Sequence, residues 1–541
     1  MNNSNLDIQV QDIDHLGIVA GIVDEIGLVG EIDRQIGVHP QQILTTGQVV
    51  KAMILNGLGF VSAPLYLFSA FFEGKATEHL LGPGVLPEHL NDDRLGRALD
   101  ALWQAGLSQI FVSIALQVYQ IFCLQSKSIH LDSSNFHVHG AYLVEPWRQL
   151  QQPEPIVITY GHSKDHRPDL KQFTVELICG GDGDIPLFFQ AADGNASDQT
   201  TFVPVIEQFR EQWQLDVPVV ADCALYTEEN LKQLGDLKWI SRVPLTIKQA
   251  QEWVDSLTSE AFESSRVKGY RIAQRSSDYA GVSQRWLVVE SEHRQRSDLK
   301  ALKKRLSRQQ QQAQSQLQTL SQEEFSCEAD ACKAALKLQK RWKYYQLEQL
   351  EIVEKAHYAT AGRPRKGTKP KRITYHVQAQ VVADSDAIAV AERRAGRFIV
   401  ATNIVEVEDL SNDEVLEEYK GQQGAERGFR FLKDPLFFAD SVFLKTPARV
   451  AALAMVMALC LLIYTLGQRM LRQTLAKAKA GIPNQLGKKT SMPTLRWVFQ
   501  CFQSVHLLRV NGQQHISNLS DNRLLILRFL GSACQKYYLL C

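Results

Sequence analysis

The spacing of apolar residues predicts a helical region followed by a mixed sheet. Over residues 1–125 apolar positions recur every three and four residues, as in IDHLGIVAGIVDEIG and NDDRLGRALDALWQAG, which is typical of amphipathic helices. Thr46 and Asn91 stand where helix N-caps are expected. From Ser128 the period changes to two, which predicts a three-stranded meander, a strand ending at Asp222 and a further strand in LKWISRVP, with the helix DQTTFVPVIEQFREQWQ between them. The predicted fold class is α/β, a mixed sheet with helices preceded by an all-α N-terminal domain.

Residues 246–403 interrupt this sheet and predict an insertion domain of mixed β/α type. The segment GYRIAQRSSDYAGVSQRWLVVES predicts a hairpin that turns near Asp278–Gly281, and TYHVQAQVVAD and GRFIVATNIV predict further strands. Ser297–Leu320 and Cys327–Tyr358 are predicted as helices. We therefore expect a helical N-terminal domain over 1–125, a sheet domain in two parts over 126–245 and 404–470, the insertion over 246–403, and a basic C-terminal region over 471–541.

The segment Ser411–Asp434, SNDEVLEEYKGQQGAERGFRFLKD, predicts one helix with a polar stripe. The helix is expected to begin at Ser411, because Ser411 and Glu414 have the spacing of a capping box. At about 100° per residue, one face carries four side chains, those of Tyr419, Gln422, Glu426 and Lys433. Three glycines collect on the opposite face, where we expect another backbone to pack closely: Gly421, Gly424 and Gly428. The stripe alone fits a solvated surface as well as a functional site.

Charge is distributed unevenly along a chain whose net charge is zero. Residues 1–125 contain five lysines and arginines against thirteen acids, whereas residues 441–541 contain thirteen against one. A polyanion should therefore prefer the later part, although the same cations would also suit the acidic N-terminal domain. The loop AGRPRKGTKPKR, residues 361–372, has six cations and no acid, and is either a solvated linker or an arm that contacts phosphates.

Composition favours a cytosolic globular protein. The chain is 45% hydrophobic and 22% charged, and its nine cysteines include no C-x-x-C pair, so neither a zinc site nor a disulfide framework is expected. The polar, acidic start MNNSNLDIQVQDID argues against a secretory signal. The apolar run Val450–Tyr464 is shorter than the roughly 20 residues that span a bilayer, and predicts a buried core helix.

Three acids are the candidate chemistry. Asp132 and Asp222 each follow an apolar strand run, which places them near strand ends, where ligands of open α/β sheets usually bind. Each alone fits a turn or capping aspartate, but together with Glu426 they make an oxygen-rich set that suits Mg²⁺ or Mn²⁺. Two such ions catalyse in-line phosphoryl displacement, so we expect polynucleotide cleavage or transfer. Lys433, on the same face as Glu426, either holds a phosphate or is an ordinary exposed lysine.

These residues resemble a known family. The order Asp132, Asp222, Glu426 on strand, strand and helix resembles the DDE transposases with a ribonuclease-H-like fold. The spacing of Tyr419, Gln422, Glu426 and Lys433 resembles the Y-(2)-R-(3)-E-(6)-K signature of the IS-four superfamily of insertion-sequence transposases. The segments HLDSSNFHVHG, YGHSKDHRPDLKQ, VADCALYT, WISRVP and GFRFLKDP are similar to blocks of the same group, especially its IS-1634-like branch.

The resemblance implies roles for these residues. Asp132, Asp222 and Glu426 would be the catalytic residues and hold the metal, and the DNA-binding candidates are Tyr419, Gln422, Arg430 and Lys433. Gln422 departs from the family's arginine and cannot supply a charged bidentate grip on phosphate. The polar stretch His162–Lys171 would lie near the DNA or the metals, or be structural.

We therefore predict a transposase that cleaves the ends of its insertion sequence and joins the 3′ hydroxyls to target DNA, using Mg²⁺ or Mn²⁺, with two ions expected. Its partners would be double-stranded DNA and a second copy of the chain, and no membrane partner is expected. It would be located in the bacterial cytoplasm, associated with the nucleoid when bound to DNA. The alternatives are a ribonuclease-H-like nuclease without strand transfer and a non-catalytic DNA-binding protein. A membrane protein is a more distant alternative.

Overall fold

Helices form the first part of the chain in the computed structural model, which describes residues 8–60, 67–142, 153–359, 369–434 and 444–540. After strand β1 (Ile8–Asp12) come α1 (Leu16–Glu25), α2 (Leu28–Ile36), α3 (Thr46–Gly57), α4 (Phe68–Phe72), α5 (Thr77–Leu81), α6 (Asp92–Ala105) and α7 (Leu107–Ile121). The predicted cap Asn91 is confirmed, because its side chain accepts a hydrogen bond from the Arg94 amide. The predicted cap Thr46 is wrong by one residue: Thr45 caps α3 in a capping box with Gln48.

The middle of the chain builds a sheet of mixed direction. Its first elements are β2 (Ile129–Val138), β3 (Lys171–Gly180), β4 (Pro186–Ala192), α8 (Asp198–Gln212), β5 (Val219–Ala221), α9 (Glu228–Gln233), β6 (Trp239–Val243) and α10 (Lys248–Ser256). Strands β2, β3 and β4 form the predicted antiparallel meander, and β5 and β6 run parallel to β2 on its other side. This order is the ribonuclease-H-like one, so the predicted fold class is confirmed.

The insertion contributes several strands to the same sheet, and its remaining elements lie outside that sheet. The next elements are β7 (Glu263–Ser264), β8 (Tyr270–Ser277), β9 (Gln284–Ser291), α11 (Glu292–Gln322), α12 (Glu328–Gln339), β10 (Tyr345–His357), β11 (Arg372–Ala383), α13 (Ser385–Arg394) and β12 (Arg397–Thr402). The sheet has nine strands among the described residues, in the order β4-β3-β2-β5-β6-β12-β9-β8-β7. Among the described residues, the elements from α11 to α13 contribute no strand to this sheet, and β10 and β11 form a separate two-stranded one. The chain boundaries of the five predicted domains stay predictions.

Two local predictions in the insertion have different outcomes. The hairpin turning near Asp278–Gly281 is confirmed by the antiparallel pair β8 and β9. The helix predicted over Cys327–Tyr358 is wrong beyond Gln339, because the chain turns there and continues as β10, which pairs with β11. The charged, amphipathic composition of 345–357 suits an exposed strand as well as a helix. Most of the cationic loop 361–372 lies outside the described residues.

The last part of the chain returns to the sheet and to the N-terminal helices. It contains α14 (Asn412–Gly421), α15 (Gln423–Leu432), α16 (Pro447–Lys477), β13 (Ile482–Pro483), β14 (Lys489–Thr490), α17 (Leu495–Cys501), β15 (His506–Val510), β16 (Gln513–Ser517), α18 (Asp521–Arg528) and α19 (Ser532–Leu539). Helix α19 packs so closely on α1 that a Cβ on Gly21 would lie 2.5 Å from the Cys534 Cα. Strand β1 pairs with β15 in a separate small sheet.

Helix α16 is the apolar run of the sequence. It is the one unbroken helix among the described residues that is long and apolar enough to cross a membrane, and most of its most apolar stretch is buried in the structure. It packs against α3, α6, α7 and β4, so the prediction of a core helix is confirmed. One large core of buried residues accordingly joins the N-terminal helices, the sheet, α16 and the C-terminal helices.

Part of the positive charge of the C-terminal region is balanced by the acidic N-terminal helices. Arg449 binds Asp100 at 2.7 Å, and Lys536 binds Asp24 at 2.8 Å. The buried ammonium of Lys51 also binds Asp24, at 2.6 Å. The sequence left a nucleic acid and the acidic domain open as partners of these cations, and for these residues the acidic helices are the partner.

Candidate active site

Asp132 lies inside β2, and Asp222 directly follows the end of the neighbouring strand β5. The parallel pairing of β2 with β5 sets His130 opposite Val220. β5 ends at Ala221, and a continuation of this register by two residues would set Asp222 opposite Asp132. The charge of Asp222 raises the pKa of Asp132, so the two carboxylates lie close enough to interact.

Glu426 reaches the same region from α15. The Gln422 amide donates a 2.7 Å hydrogen bond to the Leu131 carbonyl, which anchors the start of α15 on β2 beside Asp132. Glu426 follows one helical turn later. The charges of Asp222 and Glu426 both raise the pKa of Asp132, so each of these two acids lies within electrostatic range of Asp132. In the part of the chain that the structure describes, no three histidine, cysteine or acidic side chains are arranged to hold one ion together.

The two aspartates are poorly compensated. Burial is the largest effect on Asp132 and raises its pKa to about 7, and it also raises the pKa of Asp222. Within the described residues the Asp132 carboxylate accepts a hydrogen bond from the Ser133 amide, and that of Asp222 accepts one from the Ala224 amide, both at 2.8 Å. Oxygens left without further donors suit a hard divalent cation, so this donor set fits the predicted metal.

Lys164 is a cation close to both aspartates and lies in the predicted polar stretch. Its ammonium donates to the Ser133 carbonyl at 2.9 Å, to the Ser133 hydroxyl at 2.9 Å and to Asp198 at 2.8 Å. The three contacts use its three protons, so Lys164 ties the loop before β3 to β2 and to the first turn of α8. Its charge lowers the pKa of both Asp132 and Asp222.

Asp198 was missed by the sequence reasoning. It begins α8, where an acid is ordinary because it complements the helix dipole, and the sequence contains no further signal. In the structure it accepts hydrogen bonds from Lys164 and from the Ser133 hydroxyl, and its charge raises the pKa of Asp222. It is therefore a fourth acid beside the site.

The predicted helix over 411–434 is two helices. The capping box of Ser411 and Glu414 is confirmed by reciprocal hydrogen bonds. The helix is interrupted at Gln422, which ends α14 and caps α15. The predicted stripe is therefore not one straight face, because the side chain of Gln422 turns in to bond β2 and is only 6% exposed.

The other three DNA-binding candidates have separate surroundings. The ring of Tyr419 lies 5.9 Å from that of Phe398 on the side of Asp222, whose charge raises the pKa of the phenol together with burial. Lys433 binds Asp165 at 2.6 Å. Arg430 is exposed and forms no ion pair with any described residue. These candidates do not meet at one point in the structure.

The glycines of this segment do face close neighbours, but these are side chains and not the predicted backbone. A Cβ on Gly421 would lie 2.8 Å from the His130 ring, and one on Gly424 would lie 2.0 Å from an Asp184 oxygen. A Cβ on Gly428 would meet the Leu461 side chain at 2.9 Å, and Leu461 belongs to α16. Small residues here let α14 and α15 approach the sheet and α16.

Comparisons with known proteins bear on the whole arrangement. A family model described as a transposase DDE domain matches residues 126–463, and a domain of unknown function, DUF4277, matches residues 8–116. No curated protein matches the chain. Among solved structures, the chain is similar to the piggyBac transposase in the cryo-EM structure of its synaptic complex with hairpin DNA, with 9% identity, a TM-score of 0.37, and coverage of 96% of this chain and 80% of that chain.

The matches of both regions have the pattern of the IS-four superfamily and its IS-1634-like branch, which confirms the resemblance carried by the motifs. The transposase model covers more than half of the chain, from the meander to α16. Members of this family use divalent metal ions. The chain therefore belongs to the DDE transposases, enzymes that act on DNA by metal-dependent catalysis.

Proposed function

We propose that this transposase cleaves the ends of its insertion sequence and joins the 3′ hydroxyls to target DNA, with Asp132, Asp222 and Glu426 as its catalytic residues. The observation that supports the proposal is that Asp222 and Glu426 both lie close enough to Asp132 for their charges to raise its pKa. The burial of the two aspartates is costly unless cations neutralise them, whereas Glu426 is exposed.

The metal in this proposal is Mg²⁺ or Mn²⁺, with two ions. Asp132, Asp222 and Glu426 would hold it through carboxylate oxygens, which are the ligands that both ions prefer. When bound, the ions activate the attacking water or hydroxyl and stabilise the leaving oxygen. The chain's own part is to keep the aspartates deprotonated and in place, and the three hydrogen bonds of Lys164 support this part.

The transposon-end DNA would contact Tyr419, Arg430 and Lys433. Tyr419 lies on the Asp222 side of the site, and Arg430 offers an exposed guanidinium without an acidic partner among the described residues. Lys433 would have to exchange Asp165 for a phosphate. For Gln422, its burial favours an indirect part in DNA binding, in which its amide holds α15 against β2.

Helix α11 offers a further surface for DNA. Residues 299–322 contain five lysines and arginines and no acid. One groove on this helix is lined by Lys300, Lys303, Lys304 and Arg308, none of which has an ion-pair partner among the described residues. The opposite face packs Leu302 into the core of the insertion, so the cations face solvent. A duplex backbone is the partner that such a row of cations suits, because binding releases counterions from the phosphates.

We also propose that two copies of the chain act together on a pair of DNA ends, in the bacterial cytoplasm and on the nucleoid, without a membrane partner. Light scattering of the protein with and without end DNA tests the dimer. A complex that holds one protein chain per DNA end at every concentration would contradict it. Cell fractionation with and without DNase treatment tests the location.

The central experiment uses purified protein, Mg²⁺ and duplexes that carry the DNA flanking its gene. The wild type should nick at the element end and join the 3′ hydroxyl to a target plasmid, and Asp132→Asn should abolish both steps. Asp216→Asn is the matched control, because Asp216 is exposed and pairs only with Lys238. Equal activity of Asp132→Asn and the control would refute the assignment of the site.

The alternatives predict other outcomes of the same experiment. A nuclease without strand transfer would cleave the ends but never join a pre-cleaved end with a free 3′ hydroxyl to the plasmid. A non-catalytic DNA-binding protein would bind the ends with Mg²⁺ and leave them intact, and Glu426→Gln would not change its function.

A further inference from the structure

Arg242 lies at the same sheet edge as the aspartates. Strand β6 runs parallel to β5, with Ala221 opposite Ser241 in the last register pair. One residue further along both strands, the register brings Arg242 beside Asp222. The guanidinium of Arg242 lies over the ring of Phe398, 5.8 Å from its centroid. The row along this edge is therefore aspartate, aspartate and arginine.

A second arginine faces the same ring from the insertion. Arg294 lies in the first turn of α11, and its guanidinium is 5.6 Å from the centroid of the Phe398 ring. The Tyr419 ring lies 5.9 Å from that of Phe398. Two guanidinium groups and a phenol thus surround one aromatic ring, next to Asp222.

Apart from the neighbouring Asp222, little in the described structure cancels this positive charge. Arg242 has no ion-pair partner among the described residues, and Arg294 has only a 3.6 Å contact with Asp298 one turn along α11, where both side chains are more than 40% exposed. An arginine that rests on an aromatic face keeps the N–H groups at its edge available for an anion. Gln422, where the family signature has arginine, is neutral and committed to Leu131.

We propose that Arg242 and Arg294, together with the Tyr419 hydroxyl, form a phosphate-binding subsite on the Asp222 side of the site. It would take a backbone phosphate next to the scissile one, and so supply the anion contact that Gln422 cannot make. The proposal rests on the proposed function, since its ligand is a phosphodiester of the DNA being cut. The Phe398 ring sets the positions of both guanidinium groups, whose bidentate donors match phosphate oxygens.

The test measures binding of an end duplex, with Ca²⁺ in place of Mg²⁺, over a series of salt concentrations. Arg242→Gln and Arg294→Gln should each lower the slope of log Kd against log salt by about one and weaken binding about tenfold, as loss of one charged phosphate contact does. Arg242→Lys should keep the slope and recover part of the affinity. Arg275→Gln is the matched control, because Arg275, on β8 three strands from β6, also rests on an aromatic ring, 5.8 Å from that of Trp253 in α10.

The outcomes separate this subsite from a purely structural pair of arginines. If Arg242→Gln and Arg294→Gln bind with the slope and affinity of Arg275→Gln, the subsite is refuted, whatever their melting temperatures. If the wild type shows the expected differences from the variants but never cleaves, the proposed function fails while the phosphate contact stands. A wild type that binds no end duplex refutes both.

Discussion

Asp132→Asn should stabilise the metal-free protein while abolishing its chemistry. Burial first, and then the charges of Asp222 and Glu426, raise the pKa of the Asp132 carboxyl from 3.8 to about 7. A folded pKa above the unfolded one means that folding takes up a proton between the two values. The contribution of the Asp132 carboxyl to the free energy of unfolding is therefore greatest below about pH 4. It falls as the pH rises and reaches its minimum above pH 7.

The size of the effect follows from the pKa difference. A rise from 3.8 to about 7 corresponds to about 4 kcal/mol of folding free energy lost at pH 8, which is a ceiling because the neighbouring acids titrate together with Asp132. Asparagine has nearly the same shape and does not ionise, so it escapes this loss. For a chain of this length each kcal/mol shifts Tm by at most about 2 °C, and we expect Asp132→Asn to melt several degrees higher at pH 8.

The assay is thermal unfolding in EDTA from pH 5 to pH 8, repeated with excess Mg²⁺. The advantage of Asp132→Asn should shrink towards pH 5, where the wild-type carboxyl is already protonated. Mg²⁺ should raise the Tm of the wild type at pH 8 much more than that of the variant, because the ion binds the folded carboxylates. Equal melting of Asp132→Asn, wild type and Asp216→Asn at pH 8 in EDTA would refute the account of a self-repelling buried site.

Three further predictions use other contacts. Lys164→Met should move the acid limb of the pH–rate profile of cleavage to higher pH, because its charge lowers the pKa of Asp132; an unchanged limb would contradict this. Gly424→Ala should cost about 1–3 kcal/mol in denaturant unfolding, because its Cβ would lie 2.0 Å from Asp184, whereas Gly30→Ala, in α2 with open space around the added methyl group, should not destabilise the protein. Replacing the three groove lysines of α11, Lys300, Lys303 and Lys304, by glutamine should lower the slope of log Kd against log salt by about three. The control replaces Lys232, Lys238 and Lys248 together, and equal slopes for the two variants would contradict the prediction.

Local patterns predicted the elements well where the pattern had one interpretation. The capping box at Ser411 and the hairpin near Asp278–Gly281 depend on residues three to six apart, and both are confirmed. The prediction failed where a polar, amphipathic segment suits two conformations, as in β10, whose strand form depends on pairing with β11. The burial of the Gln422 side chain likewise depends on a distant partner, the carbonyl of Leu131, to which its amide donates.

The sequence by itself determined the family and the candidate residues of the chemistry, because the order and spacing of Asp132, Asp222 and Glu426 are visible in the chain and match a family motif. Only the tertiary structure decided what surrounds them. Strand register brings Arg242 beside Asp222, and the insertion brings Arg294 to the same ring, although these residues lie far apart along the chain. The physical reason is that periodicity encodes the shape of one element, whereas the pairing of distant strands is set by the whole sheet and its core.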